Sequence, residues 1–344
     1  MPLREPRPRK APHVSARIAA LITLRLQACG VAPDRVFRTA GLPAPTFEDA
    51  DARIPLGAEE KLWDAAAQAT RDPLFGLHAA ESIQPGRFDV LDYVVRTAPD
   101  LREALQRLAR YNRLLHDVAG FTLIPLDGEL RVEHGLGVPS HAAHPQAAEF
   151  TLASLVVVGR QLLPLLRVLH VEFVHARLGP IEEYERVFGV RPVFGRPTNA
   201  VGFPAEMMDV PIPAADAVLS RIVTAHAEQA LAAMSPVHEP VVAHVRRIVA
   251  ATLSEGPPSL QKVARALHMG DRTLQRRLQS EGVRFDDVVD QLRRELALRY
   301  TAGGSLALGE VAYLLGYSEP SPFHRAFKRW TGMTPAAYRS LPPR

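Results

Sequence analysis

Two short segments in the last quarter of the chain carry polar side chains at spacings that suit the reading of DNA bases. In each segment these residues recur at positions i, i+3, i+4 and i+7, which places them in one stripe along a helix. Arginine and glutamine are side chains that contact guanine and adenine edges in the major groove. One such stripe would more readily be a solvated helix face, but two in register favour base recognition. The first stripe is Arg272, Gln275, Arg276 and Gln279, and the second is Ser321, His324, Arg325 and Lys328.

Each stripe lies on the second helix of a predicted helix-turn-helix unit, and the two units form a weak internal repeat. Small alanines in the first helices let the two helices of a unit approach closely. A pair of inward-facing apolar residues spaced i,i+4 lies in each second helix, and a glycine that suits a left-handed cap follows it. The corresponding positions are Val263-Ala264 and Val311-Ala312, Leu267 and Leu315, Leu274/Leu278 and Phe323/Phe327, and Gly282 and Gly332.

A helix predicted over residues 285–300 joins the two units. About 16 residues at 1.5 Å each make a rod of roughly 24 Å. Successive major grooves lie about 34 Å apart along the duplex. The linking helix is therefore long enough to help place two recognition helices in successive grooves on one face of DNA.

The charge distribution is compatible with a polyanionic partner for this segment. Residues 257–344 hold 14 Lys and Arg against 8 Asp and Glu, a net charge of +6. The rest of the chain holds 27 against 29, a net charge of −2. A basic segment on a slightly acidic body suggests contact with a polyanion, although a solvated basic surface explains the charge alone equally well.

The composition is that of a globular protein with more than one domain. Hydrophobic residues make up 47% of the 344 residues and charged residues 23%, which is enough apolar surface for a sizeable core. The single cysteine, Cys29, excludes a disulfide framework and fits a reducing cytoplasm. Because free cysteine is usually buried, we expect Cys29 to lie on an apolar helix face. No signal peptide or membrane span is predicted, so we expect a cytoplasmic protein.

The body of the chain predicts an α+β fold. Helical periodicity covers residues 15–29, 58–70, 101–116 and 147–166, and Pro164 should end or kink the last of these. Strands are predicted at residues 121–124 and 130–134, around the hairpin turn Asp127-Gly128, and again at 168–176 and 199–203. The pattern has no parallel βαβ rhythm and no glycine-rich phosphate loop.

Proline-rich segments divide the chain. Residues 1–12 predict a disordered arm and residues 13–235 the α+β body. Residues 236–256 hold a predicted helix over 241–253, which we interpret as a connector, and Pro257-Pro258 ends it. Residues 257–344 predict an all-α domain with two helix-turn-helix units, which we expect to fold and bind DNA in isolation.

The C-terminal segment resembles the DNA-binding domain of the AraC/XylS transcription regulators. The resemblance covers about 80 residues and rests on residues 272–278, 293–298, 310–317, 323–335 and 338–339. It implies base contacts by Arg272, Gln275 and Arg276 in the first unit and by Ser321, Pro322, His324 and Arg325 in the second. Gly270 and Ala307 stand where a capping serine is usual, and Pro322 cannot donate a hydrogen bond, so the second unit should read fewer bases.

The body resembles the effector-binding domain of one AraC subgroup, which includes regulators similar to those that respond to ornithine and other small metabolites. This resemblance rests on residues 86–93, 99–111 and 184–195. It implies an unidentified small-molecule effector and a homodimer formed through the body. Tyr93, Tyr111 and His116 are candidate effector-pocket residues, although plain packing explains each of them well. Operator DNA is the expected macromolecular partner, and RNA polymerase is a further candidate.

Other chemistry has weaker support. His134, His141, His144 and Glu149 cluster in sequence, but their spacing matches no standard metal site, so loop histidines are favoured. We predict no metal, no cofactor and no enzymatic activity. A fused DNA-repair alkyl transferase would need reactive cysteines in a recognisable setting, which Cys29 does not supply. A purely architectural DNA protein would not need a body of this size.

Overall fold

In a computed structural model of the chain, residues 12–43, 52–136, 144–234, 241–256, 258–267, 269–302 and 306–340 are described. The chain divides into two compact units, Met1–Val237 and His238–Arg344. The arm predicted over residues 1–12 lies outside the described residues except for Pro12.

The first unit combines helices with two small antiparallel sheets, which confirms the α+β prediction. Its helices are α1 (Ala16–Ala28), α2 (Pro33–Thr39), α3 (Leu56–Thr70), α4 (Phe75–Ala80), α5 (Val90–Arg96), α6 (Leu101–Tyr111), α7 (Pro145–Leu162), α8 (Ile181–Phe188) and α9 (Ala217–Ala233). Its strands are β1 (His13–Ser15), β2 (Arg53–Pro55), β3 (Ala119–Leu126), β4 (Glu129–Leu136), β5 (His170–Glu172) and β6 (Asn199–Pro204).

The larger sheet has the strand order β3-β4-β6-β5, and every neighbouring pair is antiparallel. Strands β3 and β4 form the predicted hairpin around Asp127-Gly128, where Gly128 takes a φ of +71°. That left-handed conformation is the one a two-residue hairpin turn requires, and glycine adopts it without strain.

Two predicted elements are shorter than the pattern indicated. The helix predicted over 101–116 ends at Tyr111 and continues as a 3₁₀ turn, Asn112–Leu114. The strand predicted over 168–176 pairs with β6 only along β5, because the Phe173 amide turns to the Val193 carbonyl at 2.9 Å. Helix α7 ends at Leu162, two residues before Pro164, as the proline predicted.

Helix α7 forms the centre of the first unit's core, because buried residues lie on nearly every side of it. Trp63 of α3 packs against Phe150 of α7, with ring centroids 5.1 Å apart. Helix α9 packs on α5 and α6 through a separate small cluster that includes Tyr111 and the fully buried Ala227.

The described residues of the second unit are helical. They form α10 (Val241–Thr252), α11 (Leu260–Ala266), α12 (Asp271–Ser280), α13 (Phe285–Ala302), α14 (Leu308–Leu314), α15 (Pro320–Thr331) and α16 (Pro335–Arg339). Helices α11–α12 and α14–α15 are the two predicted helix-turn-helix units, and α13 joins them.

Helix α10, predicted as a connector, is an integral part of the second unit's core. Its apolar face packs with α11, α12 and α13, and the face consists of Val241, Val242, Val245 and Val249, followed by Leu253. The Glu281 carboxylate at the end of α12 also accepts the first two amides of α10, from Val241 and Val242, both at 2.9 Å. The start of α10 is therefore capped by the first helix-turn-helix unit itself.

None of the helices in the described ranges combines the length and the apolar character needed to cross a membrane.

Candidate nucleic-acid interface and a cavity in the first unit

The first helix-turn-helix unit is held together by a small buried interface between α11 and α12. Ser259 caps α11 by accepting the Lys262 amide at 3.2 Å. Val263 and Ala264 of α11 and Leu274 and Leu278 of α12 are all buried. The helices therefore meet through the residues that the internal repeat predicted, and the opposite face of α12 is left outward.

That outward face of α12 carries the first predicted stripe. The side chains of Arg272, Gln275, Arg276 and Gln279 are all exposed. In the described part of the chain, neither Arg272 nor Arg276 forms an ion pair. The stripe thus presents two uncompensated guanidinium groups and two amides, which are planar groups that can bind base edges bidentately.

The second helix-turn-helix unit, α14–α15, repeats this arrangement with an aromatic core. Phe323 and Phe327 of α15 are fully buried, and their rings meet edge-to-face at 5.7 Å. Tyr338 of α16 packs against Phe327 at 5.4 Å. Val311 and Ala312 of α14 are buried beneath them.

The second predicted stripe lies on the outward face of α15. Ser321, His324, Arg325 and Lys328 are exposed, and neither Arg325 nor Lys328 is ion-paired in the described ranges. Pro322 is only half-buried and occupies the third position of the helix. No intrahelical hydrogen bond is lost there, because the first four amides of a helix have no partner within it.

The positions noted for missing capping residues behave as the sequence indicated. Gly270 begins α12 without a side-chain cap. Ala307 offers no side-chain acceptor at the start of α14, but the Glu310 carboxylate accepts the Ala307 amide at 2.7 Å. This is half of a capping box, so α14 keeps one of its two capping hydrogen bonds. Gly282 and Gly332 both take left-handed conformations, as predicted for the ends of α12 and α15.

Helix α13 is joined to the second helix-turn-helix unit by polar contacts that the sequence did not reveal. Arg293 donates to the Leu315 carbonyl at 2.8 Å and to the Gly316 carbonyl at 3.1 Å, and its guanidinium lies 4.4 Å from the centre of the Tyr317 ring. Asp290 accepts the Trp330 indole N–H at 2.9 Å and is paired with Arg329. The sequence signal that could have predicted these contacts is the presence of charged residues, Asp290 and Arg293, on the side of α13 that faces its neighbours.

Gly316, in the turn of the second helix-turn-helix unit, lies very close to the segment that follows α10. It takes a φ of +72°, and a Cβ there would lie 2.5 Å from the Leu253 carbonyl oxygen and 2.9 Å from that of Gly256. The turn after α14 therefore packs directly on the chain that leaves α10. Only glycine satisfies both the conformation and the space.

The effector residues predicted for the first unit are not brought together. Tyr111 is buried, and its hydroxyl donates to Glu228 of α9, which also accepts from Arg110 at 2.8 Å. Tyr93 is 44% exposed and packs over Gly86. Of these three residues, only His116 lines the apolar cavity found in this unit. Tyr111 thus contacts α9, and Tyr93 contacts the turn before α5.

This cavity has a volume of about 150 Å³ and lies between α3, α5, α6 and α7, next to the β3–β4 hairpin. Its lining is largely apolar. Representative lining residues are Leu56, Leu91, Leu105, Phe121, Phe150 and Leu155.

Two histidines and a glutamate supply buried polar groups in the lining. His116 Nδ1 accepts the Ala119 amide at 2.9 Å, and burial lowers the pKa of His116 to about 4. Burial also lowers the pKa of His134 to about 3, and its Nδ1 has no hydrogen-bond partner in the part of the chain that the structure describes. Burial raises the pKa of Glu59 to about 7, while its carboxylate accepts the Trp63 indole N–H. Both imidazoles are therefore neutral at physiological pH.

The remaining candidates fall elsewhere. Among the described residues, no three His, Cys, Asp or Glu side chains are placed to hold a metal ion, and His141 lies outside them. Glu149 is instead buried against the Tyr184 hydroxyl, and burial raises its pKa to about 8. The expectation for Cys29 was wrong: it is exposed, because it is the capping residue just beyond α1.

Comparison with known protein families identifies both units. A family model described as the arabinose-binding domain of AraC transcription regulator, N-terminal, matches residues 30–212. A helix-turn-helix domain model matches residues 263–340.

Characterised relatives match nearly the whole chain. The ornithine utilization regulator of Pseudomonas aeruginosa is 30% identical over 91% of this chain and 92% of its own. The HTH-type transcriptional regulator VirS of Mycobacterium tuberculosis is 32% identical over 90% of this chain and 92% of its own. Among solved structures, the transcriptional regulator CdpR from Pseudomonas aeruginosa covers 94% of this chain and 98% of its own at 22% identity, with a TM-score of 0.46.

Proposed function

Because the chain belongs to the AraC family of DNA-binding transcription regulators, we propose that it reads its operator through both helix-turn-helix units, with α12 and α15 as the base-reading helices. One observation carries this proposal. Each of the two helices buries a repeated pair of apolar side chains and exposes an equivalent polar stripe whose Arg and Lys groups form no ion pair with the other described residues.

The chemistry of the two stripes supports different contributions. In α12, Arg272, Gln275 and Arg276 can form bidentate contacts with guanine or adenine, and Gln279 extends the same face. We expect this helix to supply most of the sequence specificity.

In α15, His324 and Arg325 are the main base-reading candidates, and Ser321 adds a shorter polar group. Lys328 lies near the C-terminal end of the helix and suits a phosphate contact. Pro322 has no N–H to donate and is half-buried, so it contributes at most an apolar contact. We therefore expect fewer specified base pairs under α15 than under α12.

An effector bound to the first unit would shift the populations of that unit's conformations and thereby change DNA binding by the second unit. We further propose that the chain acts in the cytoplasm, where operator DNA is found, as a homodimer formed through the first unit, and that it contacts RNA polymerase from the operator. Sedimentation of the full chain, with and without operator DNA, measures the oligomeric state directly.

Matched alanine variants of the two recognition helices test the base-reading role. Arg276→Ala and Arg325→Ala should each cost about 1–3 kcal/mol on the cognate operator and relax preference at one base position, with the two positions in different major grooves. Arg284→Ala is the control, because that exposed arginine precedes α13 and pairs with Asp287. The measurement is the affinity of each variant for a panel of single-base operator variants. Unchanged preference profiles for both stripe variants would refute base reading by α12 and α15.

A further inference from the structure

The cavity of the first unit has a largely apolar lining. Within the described ranges, no Lys or Arg lines it. Arg53, which is close enough to His116 to affect its pKa, is paired with Asp117 at 2.6 Å. A ligand carboxylate would therefore enter the cavity without a positive partner, and burying an unpaired charge costs several kcal/mol.

Four of the polar residues that line the cavity are already committed within the protein. Asp92 accepts from Arg96 Nε at 2.7 Å and from the Gly86 amide. Asn112 donates to the Ala119 carbonyl at 2.7 Å, and Ser154 donates to the Phe150 carbonyl at 2.6 Å. Glu59 is bonded to Trp63. These four groups stabilise the walls, so the hydrogen-bonding capacity left for a ligand lies with three histidines, the Thr151 hydroxyl and the half-buried Glu60.

Three histidines of the lining, His116, His134 and His144, provide the buried part of this capacity. Because His116 Nδ1 accepts two backbone amides, from Val118 and Ala119, its proton in the neutral form lies on Nε2, which can donate. His134 Nδ1 and His144 Nδ1 are buried in the wall and have no partner among the described residues. A buried unpaired nitrogen is costly, so it is a site where a ligand group would be stabilised.

The size of the cavity limits the ligand as well. A closed apolar cavity of about 150 Å³ accommodates benzene, and this cavity has that volume. This cavity is partly open to solvent, and the space it offers suits a single aromatic ring with one small substituent.

On the proposed role of the first unit as an effector sensor, we propose that this cavity binds a small uncharged apolar molecule of monocyclic-phenol size. The ring fills the space between α5, α6 and α7, and one hydroxyl group hydrogen-bonds to the histidines of the wall. The ligand differs in chemistry from both a sugar and an amino acid, even though the matching family model is described as arabinose-binding and one relative is named as an ornithine regulator.

A sugar fits poorly because each of its several hydroxyl groups needs a partner, and the wall offers few uncommitted ones. An amino acid fits poorly because its carboxylate would meet no cation. Its ammonium groups would meet an Asp92 already paired with Arg96, so only the half-buried Glu60 is an uncommitted acid.

Thermal unfolding and calorimetric titration of the full chain test this assignment. The probes are phenol, toluene, benzoate, L-arabinose and L-ornithine. Phenol and toluene, each at roughly five times its dissociation constant, should raise the melting temperature by about 2–4 °C. Benzoate, arabinose and ornithine should leave it unchanged.

Cavity-filling variants locate the binding. Ala104→Leu fills the cavity from α6 and should abolish the phenol and toluene shifts. Ala109→Leu lies on the same helix outside the cavity and should retain them. Ala147→Leu fills the cavity from a half-buried position on α7 and serves if Ala104→Leu does not fold, as judged by circular dichroism.

His134→Phe tests the polar contact at nearly constant volume. It should weaken phenol binding about five- to tenfold, the loss of one buried hydrogen bond, and leave toluene binding within about twofold of the native value. Equal losses of affinity for phenol and toluene would indicate a packing role for His134 and would refute the proposed hydrogen bond to the ligand.

The outcomes separate this inference from the proposed function. Binding of ornithine, arabinose or benzoate that the filling variants abolish would overturn the ligand class and keep the cavity as the effector site. Ligand binding that both cavity-filling variants retain would show that the ligand does not bind in this cavity. Absence of binding by every probe would overturn the inference, while operator recognition would still be decided by the Arg276 and Arg325 variants.

Discussion

Deleting residues 238–256 should largely unfold the DNA-binding unit. The sequence predicts residues 257–344 as an independent domain, but the structure places α10 in the core of that unit. Five side chains of this segment, Val241, Val242, Val245, Val249 and Leu253, are each 7% exposed or less. The deletion would also leave the Glu281 carboxylate without the two amides it caps.

The size of the effect follows from the surfaces that α10 covers. Burying a valine or leucine is worth about 1.5–3 kcal/mol, and an extended-chain reference overstates this by up to about 40%. The burial of α10's own side chains is largely offset by the entropy cost of ordering its backbone, at about 1–2 kcal/mol per residue. The apolar faces of α11, α12 and α13 that it covers have no such offset. Their exposure should cost roughly 5 kcal/mol, a large part of a small domain's stability of about 5–15 kcal/mol.

The assay compares two fragments with the same tag, residues 238–344 and residues 257–344. Circular dichroism melts report folding, and fluorescence anisotropy with labelled operator DNA reports binding. The longer fragment should melt cooperatively and bind DNA without any effector. The shorter fragment should show a broad transition at a much lower temperature and weak binding.

Val245→Asp in the longer fragment is a point test of the same interface, because Val245 is fully buried. It should reproduce the loss of stability without shortening the chain. If residues 257–344 melt at the same midpoint as residues 238–344, α10 is a dispensable connector and the reasoning from burial is wrong.

Three further changes test other features. Gly316→Ala should destabilise the DNA-binding unit by about 2–4 kcal/mol in urea unfolding, because the new Cβ would lie 2.5 Å from a carbonyl oxygen and the residue has a left-handed conformation. The control Gly309→Ala has open space around it on α14 and should be neutral or stabilising. Equal effects of the two substitutions would refute the close-approach argument. Lys328→Ala should flatten the dependence of log affinity on log salt by about one unit, and an unchanged slope would remove Lys328 from the phosphate contacts. Burial raises the pKa of Glu149 from an ordinary value of 4.5 to about 8, so its contribution to stability is complete below about pH 4.5 and is lost as the pH rises to about 8. Glu149→Gln, which still offers Tyr184 an acceptor, should remove that part of the pH dependence, and parallel stability profiles for the two proteins between pH 5 and pH 8 would contradict the assignment.

The parts of the fold that were predictable from sequence are those set by local spacing. The apolar pairs Leu274/Leu278 and Phe323/Phe327 define the inward faces of α12 and α15 because i,i+4 residues share a helix face wherever the helix packs. The hairpin around Asp127-Gly128 is equally local, since its two strands are joined by a two-residue turn.

Contacts between distant segments were not predictable in this way. The valines of α10 define an apolar face but not its partner, so the same pattern fits a connector and a core helix. Tyr111 was a reasonable pocket residue by type, yet its hydroxyl binds Glu228, which lies 117 residues further along the chain. The cavity is formed where α3, α5, α6 and α7 fail to fill the space between them. Of its polar lining, the sequence identified only His116 as an effector residue.

The capping of α10 by Glu281 affects how this regulator can be recombined with others. Domain boundaries often fall in proline-rich linkers, so Pro257-Pro258 would be a natural place to join a foreign sensor domain. A junction there would pair a foreign α10 with this chain's α12 and place an unmatched face against Leu274 and Leu278. A junction at His238 keeps the cap and the helix it caps on one side of the cut. The transferable module therefore begins a full helix before the first helix-turn-helix unit.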